Sequence, residues 1–277
     1  MTPKKEAKTK ILIAIFLLGV ILLLYPAFGS LINKIRQLTV IKGYEETIQV
    51  IDDTTQEEMY EAAVRYNKQI FALQKADTRY TLAEEYEQVL KLNDSSILGY
   101  IEVPKANIKL PIYHGVAENT LQQGVGHVRE SSLPVGTENQ NSLLLGHSGL
   151  PTSKIFTNLD KIQADDEIII TVLGRKLYYK VFETEIIEPE DVINRLKVEE
   201  GRDLITLVTC TPYGVNTHRL IVHAERTEAP KPAEAEEAPD KIKTSGLAAL
   251  FSSLVAMIWA DRCYIVEFRK LQRGKEK

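Results

Sequence analysis

LITLVTCTPYGVNTHRL, residues 204–220, holds a β-strand, a turn and the start of a second strand. Alternation puts Ile205, Leu207 and Thr209 on one face of an apolar run, as in a strand with a buried side. Cys210 closes that run. Pro212, Gly214 and Asn216 then supply turn chemistry, and Arg219 opens the next apolar run. Two neighbouring strands joined this way bring a thiol and a guanidinium to one rim of a sheet. SLLLGHSGL (142–150) repeats the arrangement: an apolar strand delivers His147 into a loop flanked by glycines.

The same period extends in both directions. ILGYIEV (97–103), NIKLPIY (107–113), NSLLLG (141–146), EIIITVL (167–173), KLYYKVF (176–182), TEIIE (184–188), LITLVTC (204–210) and HRLIVHAE (218–225) are short, β-branched and bounded by turn residues. Runs of this length and spacing predict a mainly β domain, a barrel or a sandwich. Gly174-Arg175 marks a tight hairpin, and 151–159 and 189–196 are the helical intervals. No internal repeat is present.

Upstream the period lengthens. Thr55-Gln-Glu-Glu58 has capping-box spacing, and Met59, Ala62, Ala63, Tyr66, Ile70 and Leu73 follow at three- and four-residue steps. Thr81 to Glu84 repeats the signal, ahead of Tyr86, Val89 and Leu90. Residues 75–80 break the pattern. Residues 33–93 therefore read as helices around a loop, and 94–226 as the β domain.

Ile11 to Ile32 contains no charged residue, long enough to cross a hydrocarbon core of about 30 Å. Lys4, Lys5, Lys8 and Lys10 precede it, so residues 1–10 are expected in the cytoplasm. A cleaved signal peptide is the competing reading, Ala27-Phe28-Gly29 being a loose cleavage site, but the apolar run exceeds an h-region of about 7–15 residues. TEAPKPAEAEEAPDKIKT (227–244) reads as an extended linker. Residues 245–268 form a second apolar segment, read as another span or as a peripheral amphipathic hairpin. The basic tail 269–277 follows, with Arg269, Lys270, Arg273, Lys275 and Lys277. Two spans would put the intervening domain outside the cell.

The 277 residues carry a net charge of −4, with basic residues gathered at the ends, and no basic stripe interleaved with aromatics, which argues against nucleic acid as a partner. Only Cys210 and Cys263 occur, in different regions, so a disulfide framework is not expected. No metal-ligand set appears, Asp52-Asp53 lacking calcium-loop spacing, and no cofactor is called for. A cysteine at a strand end beside Arg219 and His147 fits acyl transfer. Only the thiolate attacks, and cationic neighbours favour it. His147 serves as acid and base, and Arg219 as a permanent donor to an oxyanion. Hydrolysis and transpeptidation both remain open on these residues.

TLVTC (206–210) resembles the TLxTC signature of the sortase family, and TPYGVNTHRL (211–220) continues as in its class C, the pilin-polymerising sortases. GVGHVRESSLPVG (124–136), LLLGHSGLP (143–151) and FTNLDKI (156–162) are also similar to that class. The resemblance covers residues 38 to 226. It implies an eight-stranded sortase β-barrel with flanking transmembrane segments. It further implies a thioacyl intermediate on Cys210 formed from an LPxTG-type sorting signal, and resolution by a pilin lysine to an isopeptide bond. His147 takes the acid/base role, Arg219 the oxyanion role, and Thr209 a substrate-ordering role. The implied partners are pilins or surface proteins with C-terminal sorting signals, and the membrane; a housekeeping sortase acting on peptidoglycan is the alternative. Class C members often carry a lid with an Asp-Pro-aromatic motif. Here Asp77-Thr78-Arg79-Tyr80 stands in that place, lacking the proline and with its aromatic one residue late, so Asp77 and Tyr80 are the lid candidates. His127 is expected to hydrogen-bond structurally, and His114, His218 and His223 to be structural or exposed.

Overall fold

The computed structural model describes residues 3–76, 86–92, 96–149, 153–195 and 197–229. The lid candidates Asp77 and Tyr80, the Thr81–Glu84 cap, the linker from residue 230 on, the second apolar segment with Cys263 and the basic tail lie outside them.

Helix α1 runs unbroken from Pro3 to Val50, with Pro26 inside it. Its two halves differ. The apolar stretch 11–32 has no buried residue, whereas Gln37, Ile41, Tyr44 and Ile48 are buried at four-, three- and four-residue steps, one face of a helix. The change at residue 33 is a change of environment, not of secondary structure. Tyr44 fixes this half to the barrel: its hydroxyl donates to Leu98 O (3.1 Å) and accepts from Leu173 N (2.8 Å).

Helix α2 spans Asp53–Lys75. Its N-cap is Asp52, not Thr55: the Asp52 carboxylate accepts from Thr55 N (3.0 Å) and Thr55 Oγ1 (2.8 Å), and carboxylates cap as well as hydroxyls do. Ala63, Tyr66 and Ile70 are buried as expected, and so is Asn67. Its amide brackets Leu133, donating to Leu133 O (2.9 Å) and accepting from Leu133 N (2.7 Å).

The strands are β1 (Ile97–Val103), β2 (Ile108–His114), β3 (Val125–His127), β4 (Gln140–Leu145), β5 (Glu167–Val172), β6 (Arg175–Ile187), β7 (Asp203–Thr211) and β8 (His218–Thr227). Helix α3 (Glu118–Leu121) is a single turn between β2 and β3. The sheet closes into a barrel in the order β1-β2-β3-β4-β7-β8-β6-β5. Pairs β2/β3 and β4/β7 are parallel and the others antiparallel.

Eight strands agree with the eight runs, through two compensating differences. The runs 176–182 and 184–188 are one strand, β6, whose register against β8 shifts between Val181 and Glu183. A bulge of this kind breaks the alternation without breaking the strand. Strand β3, three residues long, has no run of its own. The β5–β6 turn is Leu173-Gly174, with φ of 48° and 72°, the positive pair of a type I′ hairpin. Arg175 already pairs with Val172. Burial of Leu173 and the Tyr44 hydrogen bond hold a leucine where glycine or asparagine is usual. The interval 189–196 is helical as a 3-10 helix over Pro189–Arg195, whereas 153–158 carries no helix and a 3-10 turn begins only at Leu159 (Leu159–Lys161).

Inside the barrel Ile205, Leu207, Val222 and Ala224 join one continuous core. Burying each larger aliphatic chain contributes roughly 1.5–3 kcal/mol. On the opposite face of β7 and β8, Val208 and Ile221 join Leu143 of β4 in a second cluster, packed against Val128, Leu145, Ile187 and Val192.

Candidate active site

Cys210 and Arg219 are direct cross-strand partners in the β7/β8 ladder, so their side chains leave the same face with Cβ atoms roughly 5 Å apart. That face also carries Val208 and Ile221. The thiol and guanidinium thus extend the outer apolar row rather than the barrel interior. His147 reaches the same level by another route. Strands β4 and β7 run parallel with Leu145 opposite Val208; continuing that register by two residues sets His147 beside Cys210. Three neighbouring strands so bring His147, Cys210 and Arg219 to one rim.

The loop carrying His147 is fixed by its backbone. Gly146 N donates to Val208 O (3.1 Å), and Phe156 N donates to His147 O (2.9 Å). Thr209, 4% exposed, donates from its hydroxyl to Gly146 O (2.7 Å). Its side chain is therefore committed to this loop, and any ordering it provides acts through His147. Position 146 must be glycine: a Cβ there would lie 2.5 Å from the Phe156 ring.

Cys210 is a free thiol, half-buried. Arg219 Nη1 donates to His218 O (3.0 Å) and Asn216 O (3.2 Å), which ties one corner of its five-donor fork to the preceding turn. His147 Nε2 lies 3.3 Å from Glu118 Oε1 on α3. The contact is not an aligned hydrogen bond, since the buried Nε2 has no directional partner among the described residues. Gln122 first, and then His147, hold the Glu118 carboxyl below its usual range. Glu118 has no counterpart in the sequence reading, because AENTL (117–121) carries neither periodicity nor a motif.

Further along the outer face, Thr206 Oγ1 donates to Asn141 Oδ1 (2.9 Å) and meets His223 Nδ1 at 3.1 Å. His223 Nε2 lies 3.3 Å from Glu185, and Asn141 Nδ2 donates to Lys197 O (3.2 Å). This chain pins the β6–β7 connection over the sheet beside the rim. His127 is fully buried, with Tyr86 Oη 3.0 Å from Nδ1 and Ser132 O 2.8 Å from Nε2. His114 is likewise held between Ser96 O and Val89 O. His218 stands 3.2 Å from Glu188. Among the described residues no group of side chains forms a metal site.

Comparison with known proteins gives the arrangement its family. The Sortase domain family matches residues 101–227. The crystal structure of sortase C1 from Streptococcus agalactiae is 37% identical, with a TM-score of 0.65 over 69% of this chain and 100% of that one. Clostridium perfringens sortase C, solved with the C-terminal cell wall sorting motif, is 38% identical, with a TM-score of 0.62 over 69% and 100%. Sortase C from Streptococcus pneumoniae, whose structure is described as bearing on catalysis and pilin substrate specificity, is 34% identical, with a TM-score of 0.62 over 70% and 99%. These neighbours are class C sortases. The first curated relatives, also sortases, are covered over 63% and 60% of their own lengths. A closed eight-stranded barrel with Cys210, Arg219 and His147 level on one rim, and solved sortases matched over their whole length, make this chain a member of the sortase family, a family of cysteine transpeptidases.

Proposed function

We propose that this chain is a membrane-anchored, class C type transpeptidase that joins pilin subunits through Cys210. The observation that carries the reading is the register of three strands, with Cys210 opposite Arg219 and His147 two residues past the Leu145–Val208 pair.

The Cys210 thiolate attacks the Thr–Gly carbonyl of an LPxTG-type signal lying along the outer face. Arg219 donates to the oxyanion as charge develops there; one such donor typically contributes about 2.7–4 kcal/mol. His147 protonates the departing glycine amine, leaving a thioester on Cys210. A pilin lysine then attacks, His147 takes its proton, and an isopeptide bond forms as the thiolate is released. Thr209 positions His147 through Gly146. Asp77 and Tyr80, just beyond α2, are the candidates for a lid over the rim. The apolar half of α1 holds the barrel at the extracellular face of the membrane, where sorting signals emerge.

The test incubates the full chain in detergent with a pilin subunit and a second subunit bearing the sorting signal. A threonine–lysine isopeptide between the subunits is the expected product. Release of the signal only to water, or transfer only to a peptidoglycan cross-bridge amine, would contradict polymerisation and favour wall anchoring.

A further inference from the structure

A polar cleft of about 510 Å³ lies between the start of the packed half of α1 and helix α3. Asn33, Arg36 and Gln37 line it from α1, Asn119 from α3, Gln122 and Gln123 from the turn that follows α3, and Ser153 from the loop beyond His147. No carboxylate lines it, which argues against a cation as its ligand. Gln37 Nε2 donates to Gln123 O (2.9 Å) and braces the two walls. The Gln122 amide donates to Glu118 and the Gln123 amide to Asn119 O, so the amide groups are held in place. Ser153 is 3% exposed, yet its hydroxyl has no hydrogen-bond partner among the described residues. A buried hydroxyl without a partner costs about 1–3 kcal/mol, and a ligand in the cleft would relieve that cost.

Position along α1 identifies the ligand class. The charge-free run ends at Ile32. At 1.5 Å per residue, Arg36 and Gln37 lie roughly 6–8 Å beyond it, close to the depth of one headgroup layer. On the reading of α1 as an anchor, on which this inference rests, the cleft opens among lipid headgroups. A guanidinium and a serine hydroxyl suit a phosphodiester, and glutamine and asparagine oxygens accept from hydroxyls. We propose that the cleft binds the headgroup of an anionic phospholipid bearing free hydroxyls, of the phosphatidylglycerol kind. Because α3 also carries Glu118 beside His147, the bound headgroup steadies one wall of the catalytic rim.

The experiment uses the full chain in nanodiscs of phosphatidylcholine, with phosphatidylglycerol titrated in, and reads hydrogen exchange of the 118–124 amides. Phosphatidylglycerol is expected to slow that exchange, and the variant R36Q/S153A to need about tenfold more of it. Equal protection in the variant would overturn the site. Equal protection from inorganic phosphate over phosphatidylcholine would overturn the lipid as its source. Resistance of both chains to alkaline carbonate reports the anchor separately. Extraction of the chain would overturn the anchor, and the lipid assignment with it; retention without protection would overturn the cleft alone.

Discussion

The parallel strands β4 and β7 end in two polar clusters of opposite character. At the end where β7 begins, Gln140 pairs with Asp203, 8% exposed. Asp203 accepts from Gln140 and from the Tyr179 hydroxyl (3.0 Å), and Gln140 accepts from Asn67 of α2 (3.1 Å). Where β7 ends, Cys210, Arg219 and His147 are half-buried, and the His147 ring is steadied by an exposed carboxylate. One end is largely paired within itself and braces helix against barrel, with Asp203 Oδ2 left without a hydrogen bond among the described residues, 4.0 Å from Arg226 Nε. The other leaves a half-buried thiol, an imidazole whose Nε2 has no aligned hydrogen bond among the described residues, and part of a guanidinium fork at the rim. Closed polar networks confer rigidity, whereas groups left for a substrate confer chemistry. A residue's place in the register, more than its type, decides which it serves.

That contrast can be broken at either end, and the largest effects belong to the open one. Cys210→Ala should abolish turnover while leaving the melting temperature within about 2 °C, since no buried packing is lost. Arg219→Ala should lower kcat roughly 10²–10³-fold. Arg219→Lys should not restore it, because a point charge does not replace the planar fork. Steady-state kinetics and calorimetry on the same preparations check both.

The closed end should show the reverse. Tyr179→Phe and Asn67→Ala each leave a buried partner unmatched, and each should cost about 1–3 kcal/mol of stability. Alkylation of Cys210 by a small thiol reagent should proceed at the unmodified rate in both. A changed rate would mean that the two ends are mechanically coupled.

Asp203 adds a pH signature. Burial pushes its carboxyl up to about 7, against the hydrogen bonds from Tyr179 and Gln140 and the Arg226 charge. The folded state then holds the proton more tightly than the unfolded chain, whose carboxyl titrates near 3.8. The resulting stability is full below about pH 4 and is lost as the pH rises through about 7. Asp203→Asn should flatten that component when melting temperatures are compared from pH 4 to 8. His127, buried with its imidazole pushed down to about 3, contributes the opposite slope and stays in both proteins.

The smallest effect is assigned to Glu118. Its contact with His147 is exposed, so Glu118→Gln should slow turnover only about twofold, and more at low salt than at high salt.

Much of this was legible in the sequence, and the losses have physical causes. Short β-branched runs between turn residues located β1, β2, β4, β5, β7 and β8 to within a residue or two, even where β4 and β7 are buried on both faces. That reading failed at β3, whose three residues are too few for a period, and at the Val181–Glu183 bulge. Stripe reading found the apolar face of α2 but passed over Asn67, since a buried amide looks polar until its partners are known. Composition divided α1 at residue 33, where the helix continues. Cys210 and Arg219 were legible as neighbours, being joined by one short turn. The level at which His147 meets them was not, because it depends on a parallel pairing between strands far apart in the chain, as Glu118 depends on where a motif-free turn packs.

The measurement that bears most directly on the central claim is peptide mapping of the full chain after brief incubation with an LPxTG peptide. The expected result is a thioester-linked acyl group on the peptide containing Cys210, labile to hydroxylamine and absent from Cys210→Ala. An acyl group on another residue, or turnover that persists in Cys210→Ala, would contradict the account.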